Sequence, residues 1–440
     1  MAILRPCNAW IQAWVFHVSP DGRISPDGKT PLGGDSAIWA AQRVPDDAVA
    51  VVDNMYVIRE LNLSDTQHFL GSKSVHTVAE EQGLWNRSSG KLLDFAGVYS
   101  HGEYGHKYYS GRRMWGSFRR LAPETALSPT YGNLKTDNPH PYPFSVAPVR
   151  KLNASDIMAV MRDHYEGTKY SSANGLAAGA WGNPNRYGGG TFPNGTGVEG
   201  AWERTISIHR STYTTVVQAR AYLPDTIGGT IWFGPHAAHG TCYVPFPCGM
   251  PSLPHRYTIG WQAVKDQSAL WAFRFVENLA QMRFNPMMQD IKATQQHFER
   301  LGFAVQASWA QHYRGSNSTE QPNLNALVWN SSVNHANTML DAWWQLGDTL
   351  MMKHAQPAAP GVGVSVSYPS WWLEAVGFPQ GPPPPLEDEE EEVAAAEGKG
   401  DGQQQQEGEK QTVEALKAQV AALTKELDLL KSKLKGGARQ

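Results

Sequence analysis

Cysteine is scarce in this chain: three in 440 residues, Cys7, Cys242 and Cys248. Three thiols cannot build a disulfide framework, which excludes a small stapled secreted scaffold. An excess of one charge is also missing. The formal net charge is −3, without the basic surplus of a general nucleic-acid binder, so no nucleic-acid partner is expected. No stretch approaches the ~18 consecutive apolar residues of a membrane span. The opening MAILRPCNAWIQAWVFHV lacks a clean apolar stretch followed by a small-residue cleavage site. The expectation is therefore no signal peptide, no membrane partner and a cytoplasmic location. Six N-x-S/T sequons, at Asn62, Asn86, Asn153, Asn194, Asn317 and Asn330, matter only in a secretory context. Missing too are a G-x-G-x-x-G turn between strand and helix, a phosphate-binding Gly-Lys-Ser/Thr loop and zinc-type Cys pairs. No cofactor is expected.

What is present is aromatic and globular: 16 Trp, 16 Tyr and 14 Phe, with 41% hydrophobic and 18% charged residues. The composition changes near residue 380. Gly381-Pro382-Pro383-Pro384-Pro385 is followed by six consecutive acids, Glu387 to Glu392, and by the Gln403 to Gln406 tract. Such a segment cannot bury enough apolar surface to offset its chain entropy, which predicts a disordered linker over 381–411. Beyond it, Val413, Leu416, Val420, Leu423, Leu427, Leu430 and Leu434 alternate by 3 and 4. That heptad seam predicts a coiled-coil helix over 412–436, with Val or Leu at one core position and Leu at the other. Three heptads gain stability by pairing, so a homo-oligomer through the coiled coil is the expected partner, against the alternative of a helix that docks on its own body. The tail holds 13 acids and 8 bases, which leaves the body, residues 1–380, with a net charge of +2.

In the body, Ala13 to Val18, Ser36 to Val44 and Ala48 to Ile58 read as strands joined by turn chemistry. A helix is expected near Ser155, with Asn153 or Ser155 as cap and Gly167 as stop. Strands are expected over Thr205 to Leu223 and Gly229 to Gly234. Two long helices follow, about Asp266 to Arg300 with a kink or break at Pro286, and about Asn325 to His354. The order of strands, helix, strands and helices indicates an α+β or layered fold rather than a βαβ repeat.

Chemistry-bearing residues are few. His236 and His239 form H-x-x-H with Cys242 three residues on. The spacing admits metal ligation, but flanking glycines make it a loop in which two imidazoles need not converge. His101, Glu103 and His106 repeat the pattern. Cys242 and Cys248, among Tyr, Val, Pro and Phe, read as buried structural thiols. MRDHYEG gathers Arg162, Asp163, His164 and Glu166, either as a salt-bridged helix end or as a site. In the second case Asp163 and His164 are the candidate substrate contacts.

Taken together, the strings AWVFHVSPDG, SAIWAAQRVPDDAVAVVDNMYVIRE, YYSGRRMW with RRLAP, YPFSVAP, MRDHYEGT, GLAAGAWGNPNR, WERTISIHRSTYTTVVQAR, LPDTIGGTIWFGP, HGTCYVPF, ALWAFRFVENLAQMRF and YPSWWLEAVGFP, in order from about residue 13 to 379, resemble the cysteine-type dipeptidases of the N-terminal nucleophile hydrolase superfamily, the family that includes the secernins. The resemblance implies an αββα sandwich and hydrolysis of dipeptides. It implies a nucleophilic Cys that heads the mature chain and uses its own α-amino group as base. It also implies an Asn and an Arg that donate to the developing oxyanion. Asn54 in VVDNMYVI is the candidate Asn, the alternative being a strand-end turn residue. Arg204 in WERTISI is the candidate Arg, the alternative being an ion pair with Glu203 or another acid. The family's leading segment before AWVFHV is longer than the dozen residues here, and Cys7 follows Pro6 without the family's small polar successor. The nucleophile is thus not identified with Cys7, and the expectation is a sandwich lacking its N-terminal part. An inactive member that binds or scaffolds through the coiled coil is the alternative, and an amidase acting on non-peptide substrates is the third reading.

Overall fold

The computed structural model describes residues 13–20, 37–100, 107–129, 142–187, 202–260, 268–314, 321–354, 360, 361, 363 and 367–378. Cys7, the 381–411 linker, the 412–436 heptads and the trio His101, Glu103 and His106 lie outside them. The chain forms two compact units, Met1–Tyr368 and Pro369–Gln440. In the first, β1 (Trp14–Pro20), β2 (Ala37–Arg43), β3 (Val49–Ala50), β4 (Glu60–Leu61) and β5 (Phe69–Gly71) precede α1 (Val75–Glu81), β6 (Leu93–Asp94) and α2 (Phe95–Tyr99). A π-helical turn, Lys107–Gly111, leads into α3 (Arg112–Leu121), then β7 (Ser145–Val146) and α4 (Ala154–Met161). Next come β8 (Tyr213–Ala219), α5 (Asp225–Gly228), β9 (Gly229–Pro235), β10 (Val244–Pro247) and α6 (His255–Thr258). Three longer helices follow, α7 (Ala269–Ala280), α8 (Phe284–Tyr313) and α9 (Gln321–His354). The second unit contains α10 (Ser370–Ala375).

Two three-stranded antiparallel sheets, ordered β1-β2-β5 and β10-β9-β8, are accompanied by the pairs β3-β7 and β4-β6. This is an α+β fold. Alternation decides which face each strand buries: in β8, Thr214 and Val216 point inward while Tyr213, Thr215 and Val217 face out. Trp232 of β9 is completely buried beside Val216, Tyr243 and the α3 and α4 side chains Phe118, Ile157 and Met158. A second core packs Phe273 and Val276 of α7, Met288 and Ile291 of α8, and Leu340 and Trp343 of α9. No helix among the described residues is long and apolar enough to cross a membrane.

Several sequence expectations change here. The strand expected over 48–58 pairs only at Val49 and Ala50, opposite Val146 and Ser145. Asn54 then takes φ 55°, a left-handed turn that no ladder accommodates. Beyond it the Val57 N–H donates to the imidazole Nε2 of His17 at 2.9 Å instead of to a strand. The 205–223 strand shrinks to Tyr213–Ala219 for a related reason. Its first part bonds to the 163–165 segment: Ser207 N–H donates to Asp163 O, and the Tyr165 hydroxyl donates to Arg204 O at 2.5 Å. The helix expected over Asp266–Arg300 is two helices, α7 and α8, which part at residues 281–283 rather than at Pro286, and α8 continues to Tyr313. Pro286 sits in the first turn of α8, where its missing N–H costs little. The helix near Ser155 is capped by Asn153 in a full capping box with Asp156. It ends at Met161, before Gly167.

Candidate functional site

Asn54 owes its position to the turn just described. Its left-handed backbone suits asparagine better than most non-glycine residues. The Ser110 hydroxyl donates to the Asn54 carbonyl at 3.4 Å, and Arg113 Nη2 donates to Asn54 Oδ1 at 2.9 Å. Arg113, at the start of α3, is 8% exposed and held on three sides. Its Nε donates to the Tyr109 carbonyl at 2.6 Å, its guanidinium lies 4.8 Å from the Tyr109 ring centroid, and Asp53 Oδ1 is 3.5 Å from Nη1. Burial pushes the Asp53 carboxyl up, and the Arg113 charge pulls it part of the way back.

Arg204 reaches the same tyrosine, with its guanidinium 4.8 Å from the Tyr109 centroid. The ion pair with Glu203 does not form. Glu203 is bound by Arg112 Nε instead, and no carboxylate among the described residues pairs with Arg204. Burial lowers the Arg204 pKa, with further push from the Arg210 and Arg113 charges. Asn54 and Arg204, far apart in sequence, thus meet at one unit made of Tyr109 and Arg113. The result is a cationic, donor-rich surface around an aromatic ring, the kind of arrangement that receives a carbonyl oxygen or a carboxylate.

Asp163 and His164 stand in a different setting. Asp163 is wholly buried and accepts from Arg119 Nη2 at 2.7 Å on both oxygens and from Arg120 at 3.2 Å. Its neighbour Tyr165 is left-handed, at φ 66°, and its ring approaches α3 where Gly116 leaves room. A Cβ there would stand 2.6 Å from Tyr165 Cε1. Burial raises the Tyr165 hydroxyl well above its usual range, so it stays a neutral donor to Arg204 O. His164 Nδ1 lies 3.0 Å from Glu166 Oε1, and its ring packs edge-on against His239 at 4.8 Å. Asp163 and Tyr165 therefore shape the backbone under Arg204, whereas His164 belongs to a neighbouring histidine cluster.

That cluster is more ordered than the H-x-x-H loop suggested. His236 Nε2 and His239 Nε2 both converge on Glu277 of α7, at 3.3 Å from separate oxygens. Asn185 donates to the same carboxylate at 3.0 Å, and Gln281 also binds it. Burial alone would raise Glu277, but the two imidazole hydrogen bonds outweigh it and bring the carboxyl down to about 2. Burial brings the His239 imidazole down to about 4, so the ring is neutral near pH 7. Neutral His239 then gives its Nε2 proton to Glu277 and accepts from the Ser207 hydroxyl at Nδ1, at 2.8 Å. Among the described residues, no group of three or more His, Cys, Asp or Glu is arranged to hold a metal ion.

Neither described thiol is poised to ionise. Cys242 is fully buried, and burial pushes it well above the ordinary thiol range. Cys248, expected to be buried, is exposed where the chain turns after Pro247, and burial around the sulfur still raises it. Sequence reasoning missed Tyr109, Arg113 and Glu277. The Arg112-Arg113 pair in YYSGRRMW was the visible signal for the first two. Nothing in ALWAFRFVENLAQMRF distinguished Glu277 from a surface acid.

A family model described as peptidase family C69 matches residues 31–297. That is more than half of the chain, and the protein belongs to this family. A probable dipeptidase of Latilactobacillus sakei is 24% identical over 251 residues, 57% of this chain and 47% of the relative. Probable dipeptidase A of Streptococcus pyogenes serotype M3 (strain SSI-1) is 24% identical over 262 residues, 58% and 49% of the two chains. A dipeptidase of Bifidobacterium longum (strain NCC 2705) is 24% identical over 283 residues, 61% and 48%. The chain spans about half the length of the curated relatives it matches.

Proposed function

We propose that this protein hydrolyses the amide bond of dipeptides by cysteine N-terminal-nucleophile chemistry on an αββα framework. The observation that carries the reading is the meeting of Asn54 and Arg204 at the Tyr109–Arg113 unit. In this reaction a thiolate adds to the carbonyl carbon, and charge builds on the carbonyl oxygen. The amine then leaves with a proton from the α-ammonium group, and water cleaves the thioester. Side-chain donors fixed beforehand lower that barrier because they need no reorganisation as the charge develops. Asn54 and Arg204 are those donors in our reading. The nucleophile is a thiol outside the described residues, since Cys242 and Cys248 are held protonated. Asp163 acts beneath the site and His164 at its margin, rather than as strong direct contacts.

The test is release of free amino acids from a dipeptide panel, first by this chain and then by a chain extended with any in-frame upstream segment. Turnover is expected to fall by ~100-fold or more in Asn54→Asp, which keeps the acceptor for Arg113 and loses the donor. Activity that survives Cys7→Ala but not loss of an upstream Cys assigns the nucleophile. If no form cleaves any dipeptide, the reading is wrong. The raised pKa of both described thiols favours one second reading, a family member that binds without turnover and assembles through the 412–436 heptads. Saturable dipeptide binding without product identifies it.

A further inference from the structure

The geometry points to Arg113 as the residue that positions Asn54 for catalysis by holding its amide in one of two nearly isosteric orientations. This role rests on the proposed amide hydrolysis. An asparagine amide has an acceptor end and a donor end of almost the same shape, and rotation by half a turn exchanges them. Only the NH2 end stabilises an oxyanion. A guanidinium donates and never accepts, so the end of Asn54 that faces Arg113 is the oxygen. The nitrogen is thereby turned away from Arg113. The guanidinium cannot drift, because its Nε is tied to the Tyr109 carbonyl, Asp53 flanks Nη1, and the Tyr109 ring covers its face. The backbone of Asn54 is equally constrained, by its left-handed turn and by the Ser110 hydroxyl on its carbonyl. With backbone and Oδ1 both fixed, the amide has one remaining arrangement. Arg113 touches no reacting atom in this scheme and acts only through Asn54.

Because Arg113 acts only through Asn54, a double-mutant cycle tests the role. Arg113→Met is expected to lower kcat by about 100-fold with KM within about twofold, because the lost interaction is made in the transition state. Arg113→Lys keeps a donor-only group but cannot hold Asn54 and the Tyr109 carbonyl together, and is expected to recover part of that loss. In an Asn54→Gly background, Arg113→Met is expected to cost nothing further in kcat. Equal losses in both backgrounds, or a loss confined to KM, overturn the role. A second readout does not depend on turnover. With asparagine-selective nitrogen-15 labelling, the signal absent from Asn54→Gly identifies the Asn54 side-chain NH2. Its order parameter is expected to be high in the parent protein and to fall below about 0.6 in Arg113→Met. An unchanged value overturns the positioning role even if dipeptides are cleaved. If no dipeptide is cleaved but the order is lost in Arg113→Met, the hydrolase reading fails while the amide-holding role stands. Should Arg113→Met not fold, Arg113→Lys carries both readouts.

Discussion

Among the described residues, four that are not glycine have positive φ, and three of them, Asn54, Tyr165 and His236, stand at the site or its histidine neighbour. Such conformations cost on the order of 1 kcal/mol each and persist where surrounding contacts over-determine them. Asn54 is the case that separates stability from function. Asn54→Gly is expected to leave the urea midpoint unchanged or raise it slightly, since glycine accepts φ 55° without strain, while dipeptide turnover drops by ~100-fold or more. A parallel fall in both midpoint and turnover would mean that the Asn54 side chain serves as a structural partner of Arg113 rather than as a catalytic donor. Asn54 was named through the family resemblance, which implies an asparagine donor, and through its position after a Val-rich strand. Tyr165 was not. A bulky residue with left-handed backbone is held there by Gly116 opposite and by its bond to Arg204 O, both remote in sequence. His236 was noticed for its imidazole, but its partner Glu277 lies on a helix 41 residues away.

The helical regions near Ser155, about Asp266 to Arg300 and about Asn325 to His354 were legible because their signals are local, whereas α1 and α3 were not expected. Asn153 caps α4 by accepting from Ser155 N–H at 2.8 Å and Asp156 N–H at 3.4 Å, and Asp156 answers by accepting from Asn153 N–H. Arg150 adds a paired contact to Asp156, which holds that carboxyl below its usual range. Asn153→Ala is expected to cost about 1 kcal/mol, read as a lower urea midpoint at unchanged slope. The effect should reach the site as well, because the end of α4 runs directly into Asp163 and Tyr165; a raised KM for dipeptides is the corresponding sign. The segments that failed as strands, 51–58 and 205–212, failed because their backbone groups found side chains and turns as partners. Val57 bonds to His17, 40 residues earlier, and Ser207 bonds to Asp163, 44 residues earlier. Val- and Ile-rich composition marks a segment as buried and extended, yet says nothing of which distant donor meets it. Asn54 lies on the first of those irregular segments and Arg204 just before the second, while Tyr109 and Arg113 come from the π-helical turn and α3, so the site assembles from parts whose meeting no local signal announces.

The largest pH effect belongs to the whole molecule, because three buried imidazoles are spread over separate regions. Burial holds His17 of β1, His239 beside α7 and His335 of α9 at about 4 each, against an ordinary value of 6.5. His17 accepts the Val57 N–H at Nε2, which a doubly protonated ring could not do. In the unfolded chain these groups take up protons as the pH falls through 6.5, whereas the folded protein resists until about 4. The unfolded state therefore binds more protons between these limits, and stability present above pH 6.5 is lost as the pH falls towards 4. At pH 5 each group withdraws about 2 kcal/mol, so the three together remove several kcal/mol of a total that is commonly 5–15. Glu277 adds a second, lower window. Its carboxyl is depressed to about 2, so its contribution is present above the ordinary carboxylate range and lost as the pH falls from there to 2. The urea midpoint is expected to drop markedly between pH 7 and pH 5, and His335→Leu should shrink that drop by about a third while leaving the site untouched. Equal midpoints at the two pH values would mean that these imidazoles are hydrated in solution. The packing of β1 against the Val57 segment and of α8 against α9 would then be looser than this fold requires.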